Sequence, residues 1–288
     1  MELTLDIDAF QIKARTWGNN KTKTVLGIHG WLDNANSFEK IASIFSEDIY
    51  FVAIDLAGHG HSDHRSLQQS YYLWDYALDI IKVIETLQLS RVSIVAHSMG
   101  TGIASIVAGT MPELVEKMVF LDGLGAPFVI KEDDIVSHFS KSVKQLKMAK
   151  KTQLYGFLPS HEYQFASKSD AIHDRMKNSV GVISSDASTC LVDRSIIQVQ
   201  EGYRWCHDPR ITLPECFRMT ERQAQSFISA ISCKVLVILG KQGLFTEGVH
   251  NSRLDKFQNA ELHWIDGGHH LHLEERYKEI AELINEFL

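Results

Sequence analysis

The sequence predicts an α/β protein with a mostly parallel central sheet and helices on both faces. Short unbroken apolar runs recur along the chain, and amphipathic helix patterns stand between them. Strands that are buried on both faces show such continuous apolar runs, and parallel neighbours need a helical crossover between them. A third observation is that the alternation stops near residue 127 and resumes at residue 234, which predicts an insertion into the sheet.

The elements before the insertion follow in a regular order. Two alternating runs, 3–7 and 10–17, predict a pair of strands at the start of the chain. Buried strands are predicted at 24–28, 50–54, 92–96 and 117–121, and helices at 37–45, 73–87 and 100–110. The helix pattern at 73–87 is clear because apolar residues recur on one face and charges lie opposite.

The segment 127–230 is more polar and has mostly helical patterns. The alternation then resumes with predicted strands at 234–239 and 260–265 and a terminal helix at 273–288. We therefore predict a core domain formed by residues 1–126 and 231–288. A mainly helical cap, 127–230, is inserted between the sixth and seventh strands.

Composition excludes several classes of protein. Of the 288 residues, 44% are hydrophobic and 23% charged, which is typical of a globular protein. A net charge of −7 predicts no nucleic-acid partner. Apolar stretches fall far short of the roughly 20 residues that a membrane-spanning helix needs. The acidic first residues are unlike a signal peptide, so we expect a cytoplasmic protein with no membrane insertion; the oligomeric state stays open.

The strongest chemical signal is the pentapeptide Ala-His-Ser-Met-Gly at 96–100, between a predicted strand and a predicted helix. It follows the pattern G-x-S-x-G with alanine in place of the first glycine. Small flanking residues leave room for a sharp turn that holds the serine hydroxyl clear of the sheet. A serine that only caps a helix needs no small neighbours. We predict that Ser98 is a nucleophile and that the N–H of Met99 stabilises an oxyanion.

Two other loops supply candidate partners for Ser98. After the strand at 24–28, the backbone N–H of Trp31 is the expected second oxyanion donor, with Leu32 as the alternative. The last strand is followed by Gly-His-His-Leu-His at 268–272, and a histidine suits the role of general base at neutral pH. His269 is favoured because it directly follows a glycine and stands five residues before Glu274. His270 is the next candidate, and we expect His272 to pack behind the site.

Five segments together resemble the α/β-hydrolases and, within them, the serine hydrolase-like proteins. They are HGWLDNANSF at 29–38, DLAGHGHSD at 55–63, AHSMG at 96–100, FLDG at 120–123 and GGHHLHLEE at 267–275. The resemblance implies hydrolysis of an ester-type bond and a pocket under a lid for a small acyl substrate. The predicted reaction requires no cofactor. We expect Trp31, Trp205, Phe128 and Phe139 near that pocket.

The catalytic acid departs from the commonest pattern of the family, which is G-x-x-D after the seventh strand. Here 240–243 reads Gly-Lys-Gln-Gly, with glycine where aspartate is expected. Asp122, at the end of the sixth strand, occupies the other position that the family uses. We predict Asp122 as the acid, with Glu247 as the alternative. The other hypothesis is that Asp122 has no catalytic role and only caps the loop that leads into the insertion.

The predicted reaction is attack of Ser98 on an acyl carbon, with an acyl-enzyme that water then releases. Carboxylic esters are the leading substrates, and thioesters, amides or carbon–carbon bonds could be cleaved by the same residues. A ligand receptor that retains the three residues is the alternative from another class.

The run His-Gly-His-Ser-Asp-His at 59–64 matches the HxHxDH pattern of binuclear zinc hydrolases. Because it overlaps the turn motif DxxGxGxS at 55–62, we predict no metal there.

Overall fold

The computed structural model describes residues 1–8, 10–19, 23–151, 164–248 and 251–288, and the side chains of 149–151 lie outside the description. The strands are β1 Glu2–Ile7, β2 Phe10–Trp17, β3 Lys23–Ile28, β4 Ile49–Ile54, β5 Val92–His97, β6 Val115–Leu121, β7 Ile196–Val199, β8 Gly202–Trp205, β9 Lys234–Gln242 and β10 Ala260–Gly268. The central sheet has eight strands in the order β1-β2-β4-β3-β5-β6-β9-β10. β2 runs antiparallel to β1 and β4, and the remaining pairs are parallel.

Helices cover both faces of this sheet. The α-helices of the described residues are α1 Glu39–Ala42, α2 Leu73–Thr86, α3 Gly100–Thr110, α4 Ile135–Lys151, α5 Lys168–Asn178, α6 Ser185–Val192, α7 Glu221–Ala230 and α8 Tyr277–Phe287. One apolar core lies between the sheet and α2 and α3, and a second lies between the sheet and α1 and α8. The predicted α/β class, with a mostly parallel sheet covered on both sides, is confirmed. Among the described residues, none of the helices has the length and apolar character needed to cross a bilayer.

Two helix boundaries were predicted wrongly. The segment expected to be helical at 37–45 begins with a 3-10 turn at Ala35–Phe38 and ends with the single helical turn α1. The side chain of Asn34 accepts a hydrogen bond from the N–H of Asn36, which starts this turn early. The terminal helix begins at Tyr277 because the buried residues Leu271–Leu273 form a separate 3-10 turn.

The insertion between β6 and β9 contains α4 to α7 and a small antiparallel hairpin, β7–β8, that the sequence patterns did not predict. The hairpin strands have four residues each, too few for a clear alternation. α7 packs closely on α3, since a Cβ atom at Gly109 would lie 2.8 Å from the carbonyl oxygen of Phe227. The division into a core of 1–126 and 231–288 and a cap of 127–230 stays a prediction.

One buried ion pair joins the insertion to the sheet. The Arg194 guanidinium, just before β7, contacts both carboxylate oxygens of Asp55 through Nε, at 3.0 and 2.8 Å. Asp55 also accepts a hydrogen bond from the N–H of His61, and its carbonyl accepts one from the hydroxyl of Ser62. Asp55 and Ser62, the first and last residues of the DxxGxGxS motif, thus hold this turn through their hydrogen bonds.

Candidate active site

Ser98 lies at the sharp turn between β5 and α3. Its φ of +51° is in the left-handed region, which non-glycine residues rarely adopt. A Cβ atom at Gly100 would lie 2.2 Å from the carbonyl oxygen of Ile28, so this position requires glycine. The predicted strained turn is therefore present, and it places the Ser98 hydroxyl beyond the carboxyl end of the sheet, at the start of α3.

His269 lies between Ser98 and Asp122. Its Nε2 is 2.9 Å from the hydroxyl oxygen of Ser98, and its Nδ1 is 2.6 Å from Oδ2 of Asp122. With hydrogen on Nδ1, the ring donates to the carboxylate and can accept the serine proton at Nε2. The structure thus brings together Ser98, Asp122 and His269, the three residues that were predicted to lie just after the ends of β5, β6 and β10.

The Asp122 carboxylate is completely buried and has further donors besides His269. Oδ1 accepts a hydrogen bond from the N–H of Gly240 at 3.1 Å, and Oδ2 accepts one from the N–H of Leu244 at 3.0 Å. A Cβ atom at Gly243 would lie 2.3 Å from Oδ1. Glycine is found at position 243, where the common family pattern has aspartate, because the Asp122 carboxylate fills the space that a side chain at this position would need.

Glu247, the alternative acid, lies on the exposed side of the same loop. Its side chain is 50% exposed, and its carboxylate is 3.9 Å from Nζ of Lys241. The carboxylate beside Nδ1 of His269 is that of Asp122. The geometry supports the preference for Asp122.

Two residues that line the same cavity as Ser98 carry backbone N–H groups suited to bind an oxyanion. Met99 follows Ser98 directly, and Trp31 occupies a turn that is closed by a hydrogen bond from the N–H of Asp33 to the carbonyl of Gly30. No hydrogen bond to another described residue engages the N–H of Met99 or Trp31. Both residues line the same cavity as Ser98. These N–H groups are therefore available to a ligand oxygen, as an oxyanion hole requires.

Behind His269 lies a buried cluster around Asp33 that the sequence analysis did not single out. His97 has Nδ1 3.1 Å from Asp33 and Nε2 3.0 Å from the carbonyl oxygen of His269, so each ring nitrogen is placed to donate. Arg175 of α5 and His270 contact the other Asp33 oxygen at 2.5 and 3.3 Å. Burial opposes ionisation of Asp33, but these partners hold its pKa well below the ordinary value. The cluster ties the His269 backbone to the insertion.

Asp33, His97 and His270 have the donor atoms of a metal site, within 4.8 Å of one another. These atoms already form hydrogen bonds among themselves, and Arg175 places a positive charge on the same carboxylate. The arrangement therefore does not suit a metal ion. Burial lowers the pKa of His270 to about 4, despite the opposing effect of Asp33.

The residues of the HxHxDH pattern have separate partners. His59 is buried with Nδ1 3.2 Å from the carbonyl of Ala57, whereas His64 contacts the carbonyl of Cys206. Asp63 accepts a hydrogen bond from the backbone of Gln11. This dispersal supports the turn motif over a zinc site.

A cavity of about 460 Å³ opens in front of Ser98 and His269. Trp31 and Phe128 line it, as predicted, and Phe128 is itself in the left-handed region at φ +53°. Trp205 and Phe139 do not line this cavity. Trp205 packs against Phe165 in the hairpin region, with ring centroids 5.2 Å apart. Phe139 packs against Phe217, also at 5.2 Å, and both side chains are exposed.

The environment of His269 predicts the pH dependence of any reaction that uses it as a base. Burial lowers its pKa below the ordinary 6.5, and the hydrogen bond to Asp122 opposes this shift only in part. The neutral ring, which is the active form, then persists to lower pH. We expect kcat/KM to fall on the acid side with a midpoint below 6.5, measured on an ester whose leaving group does not titrate there. A midpoint above 6.5 would contradict this assignment of the base.

Comparison with known proteins agrees with the fold. The profile of the family described as alpha/beta hydrolase fold matches residues 23–276. The chain belongs to the α/β-hydrolase family. Within that family it is similar to a serine hydrolase-like protein of Dictyostelium discoideum, with 36% identity over 91% of this chain and 74% of the relative. The predicted resemblance to serine hydrolase-like proteins is confirmed.

Solved structures show the same fold over the whole chain. A hypothetical protein of Pseudomonas aeruginosa PAO1 has a TM-score of 0.89 and 34% identity, covering 99% of this chain and 98% of that one. A thioesterase domain from the curacin biosynthetic pathway has a TM-score of 0.77 and 24% identity, with coverage of 99% and 98%. The second likeness shows the fold alone.

Proposed function

We propose that the protein is a serine hydrolase that cleaves carboxylic esters through an acyl-enzyme. The observation that carries this proposal is the chain of hydrogen bonds from Ser98 through His269 to Asp122, at 2.9 and 2.6 Å. It stands beside the two backbone N–H groups of Trp31 and Met99. A nucleophile, a base, an acid that orients the base and an oxyanion site are the parts that acyl transfer requires.

The proposed reaction has two halves. In the first, Oγ of Ser98 bonds to the acyl carbon while His269 takes its proton, and the N–H groups of Trp31 and Met99 bind the developing oxyanion. His269 then gives the proton to the leaving alcohol. In the second half, His269 activates a water that attacks the acyl carbon, and the carboxylic acid leaves as Ser98 recovers its proton.

Asp122 acts on His269 alone in this scheme. It holds the ring in the tautomer with hydrogen on Nδ1 and stabilises the imidazolium that forms in each half of the reaction. Burial makes this interaction stronger than an exposed one, because little water competes for the carboxylate. The bonds from Gly240 and Leu244 keep the carboxylate in place while the histidine changes its charge.

The experiment that tests the proposal is turnover on a panel of esters with varied acyl length, combined with fluorophosphonate labelling. We expect many turnovers per protein molecule and complete loss of turnover after labelling, because the label occupies the serine that attacks the substrate. Heat-denatured protein is the control for labelling of unactivated serines. A yield limited to about one product per protein molecule on every ester would instead favour a ligand receptor.

A further inference from the structure

The turn that carries the Trp31 N–H has a strained backbone. Leu32, the next residue, has a φ of +58°, in the left-handed region that non-glycine residues rarely adopt. Such a conformation costs free energy and persists only where the surrounding structure holds it in place. The turn is closed by a hydrogen bond from the N–H of Asp33 to the carbonyl of Gly30 at 3.2 Å. Partners outside the turn are therefore needed to keep the Trp31 N–H in one orientation.

Arg175, on α5 of the insertion, supplies such partners. Its Nη1 donates to the carbonyl of Leu32 at 3.2 Å, and its Nη2 donates to Oδ1 of Asp33 at 2.5 Å. The side chain of Arg175 is 11% exposed and that of Asp33 is 1% exposed, so little water competes for these bonds. A planar guanidinium that bonds two acceptors fixes their relative positions. One side chain of the insertion thus holds both residues that follow Trp31.

The other oxygen of Asp33 links the same turn to the base. Oδ2 lies 3.1 Å from Nδ1 of His97, whose Nε2 lies 3.0 Å from the carbonyl oxygen of His269. The packing here is close, since a Cβ atom at Gly30 would lie 3.0 Å from Nδ1 of His97 and 3.2 Å from Oδ2 of Asp33. A shift of the turn would therefore displace the groups that hold the backbone of the base.

The loop after α5 contacts the base directly. Gly181 has a φ of +73°, and a Cβ atom on this glycine would lie 3.0 Å from the Cβ of His269. Three residues farther along, the N–H of Ser184 donates to Oε1 of Glu274, in the loop between β10 and α8, at 2.8 Å. One continuous segment of the insertion, 175–184, thus contacts both the oxyanion turn and the loop that carries the base.

We propose that Arg175 is a positioning residue, which holds the Trp31 N–H and the His269 loop in the arrangement that acyl transfer requires. This inference rests on the proposed ester hydrolysis. Arg175 acts through Leu32 and Asp33 and takes no part in making or breaking bonds. Because Arg175 belongs to the insertion, the insertion has a role in the reaction itself, in addition to covering the pocket.

The first test is Arg175→Gln, which shortens the side chain and removes its charge. We expect the acylation rate at saturating nitrophenyl acetate, measured in single turnovers, to fall about 10- to 100-fold. Complete loss of an oxyanion donor costs about 10²- to 10³-fold, and here the turn is loosened rather than removed. The half-saturating concentration should change less than about threefold, because no group that binds the ground state is lost.

Arg175→Lys keeps a positive charge beside Asp33 but lacks the fork that bonds two acceptors. It should show a smaller loss of acylation than Arg175→Gln, which is rescue by the conservative change. Thermal melting shows whether each variant is folded, and Arg175→Lys carries the test if Arg175→Gln does not fold. Acylation by folded Arg175→Gln protein at the wild-type rate would overturn the inference.

Arg194→Gln is the matched control. Like Arg175, Arg194 belongs to the insertion and pairs with a buried aspartate of the core, but its guanidinium bonds to Asp55 and Glu2 rather than to the oxyanion turn. We expect this variant to lower Tm at least as far as Arg175→Gln does and to change acylation less than about threefold. An equal loss of acylation in both variants would show a general effect of loosening the insertion, which would overturn the positioning role.

Direct contact of Arg175 with an anionic part of the substrate is the alternative role, since Arg175 also lines the cavity in front of Ser98. That role predicts a different result. In Arg175→Gln, the half-saturating concentration of an ester that carries a carboxylate, such as nitrophenyl succinate, would rise about tenfold or more. Its acylation rate at saturation, and that of nitrophenyl acetate, would stay unchanged. This outcome would assign Arg175 to substrate binding and overturn the positioning role.

Amide exchange separates this inference from the proposed reaction. The Asp33 N–H is bonded within the turn, so its hydrogen exchange, measured by NMR, reports how firmly the turn is held whether or not esters are cleaved. We expect exchange to be about tenfold faster in Arg175→Gln and unchanged in Arg194→Gln. If this occurs in a protein whose wild-type form turns over no ester, ester hydrolysis is wrong and the hold of Arg175 on the turn stands. If esters are cleaved and neither exchange nor acylation changes in Arg175→Gln, the reaction stands and the positioning role is wrong.

Discussion

Ser98→Ala should lower kcat by about 10⁴- to 10⁶-fold on any ester that the wild-type protein cleaves. The reason is that the variant lacks the atom that forms the acyl-enzyme, while the N–H groups of Trp31 and Met99 still bind the carbonyl oxygen. The remaining rate is that of water attacking a bound ester. Steady-state hydrolysis of a nitrophenyl ester, together with fluorophosphonate labelling, measures the effect.

Ser105→Ala is the matched control for this variant. Ser105 is a buried serine on the same helix, α3, and its hydroxyl donates to the carbonyl of Thr101 at 2.7 Å. Its loss should affect stability by about 1 kcal/mol and leave labelling intact. Unchanged hydrolysis by purified Ser98→Ala protein would show that another residue is the nucleophile.

Asp122→Asn should lower kcat by about 10²- to 10⁴-fold while the protein stays folded. An amide has nearly the shape of the carboxylate but cannot stabilise the imidazolium form of His269. The amide NH₂ group is itself a hydrogen-bond donor. In either orientation it would point at another donor, which is Nδ1 of His269 or the backbone N–H of Gly240 or Leu244. The wrong tautomer of His269 would therefore be favoured, and the hydroxyl of Ser98 would lose its acceptor.

Glu247→Gln is the control, and it should change kcat by less than about twofold because its side chain is half exposed and 3.9 Å from Lys241. Circular dichroism and thermal melting establish that both variants are folded. An inactive Glu247→Gln protein beside a fully active Asp122→Asn protein would assign the acid to the loop after β9.

Local patterns predicted much of the fold and the reacting residues. Apolar runs marked the strands of the sheet, and the small residues around Ser98 marked its turn. Asp122 was predicted because a glycine stood at position 243, and the structure supplies the physical reason. The strands and the turn at Ser98 could be read from the sequence because each depends on neighbouring residues in the chain, whereas Asp122 was predicted from the resemblance to the α/β-hydrolases.

The parts that were missed depend on contacts between distant segments. Asp33 and Arg175 form an ion pair although they are 142 positions apart in the sequence. No periodicity in either segment indicates that pairing. Similarly, an aromatic residue within an insertion does not reveal which way its ring points. Trp205 and Phe139 were expected at the pocket, yet each packs against another aromatic ring of the insertion.

If the proposed reaction is correct, the contact between Asp122 and Gly243 restricts which pairs of residues these two positions can hold over evolutionary time. An aspartate at position 243 would place its Cβ 2.3 Å from Oδ1 of Asp122, and two carboxylates would share one buried space. Mutation of Asp122 first would instead leave His269 without an acid. Either single replacement is harmful alone, so a lineage can move the acid between the two strand ends only by changing both positions together. We therefore expect residues 122 and 243 to vary as a pair among descendants of a common ancestor.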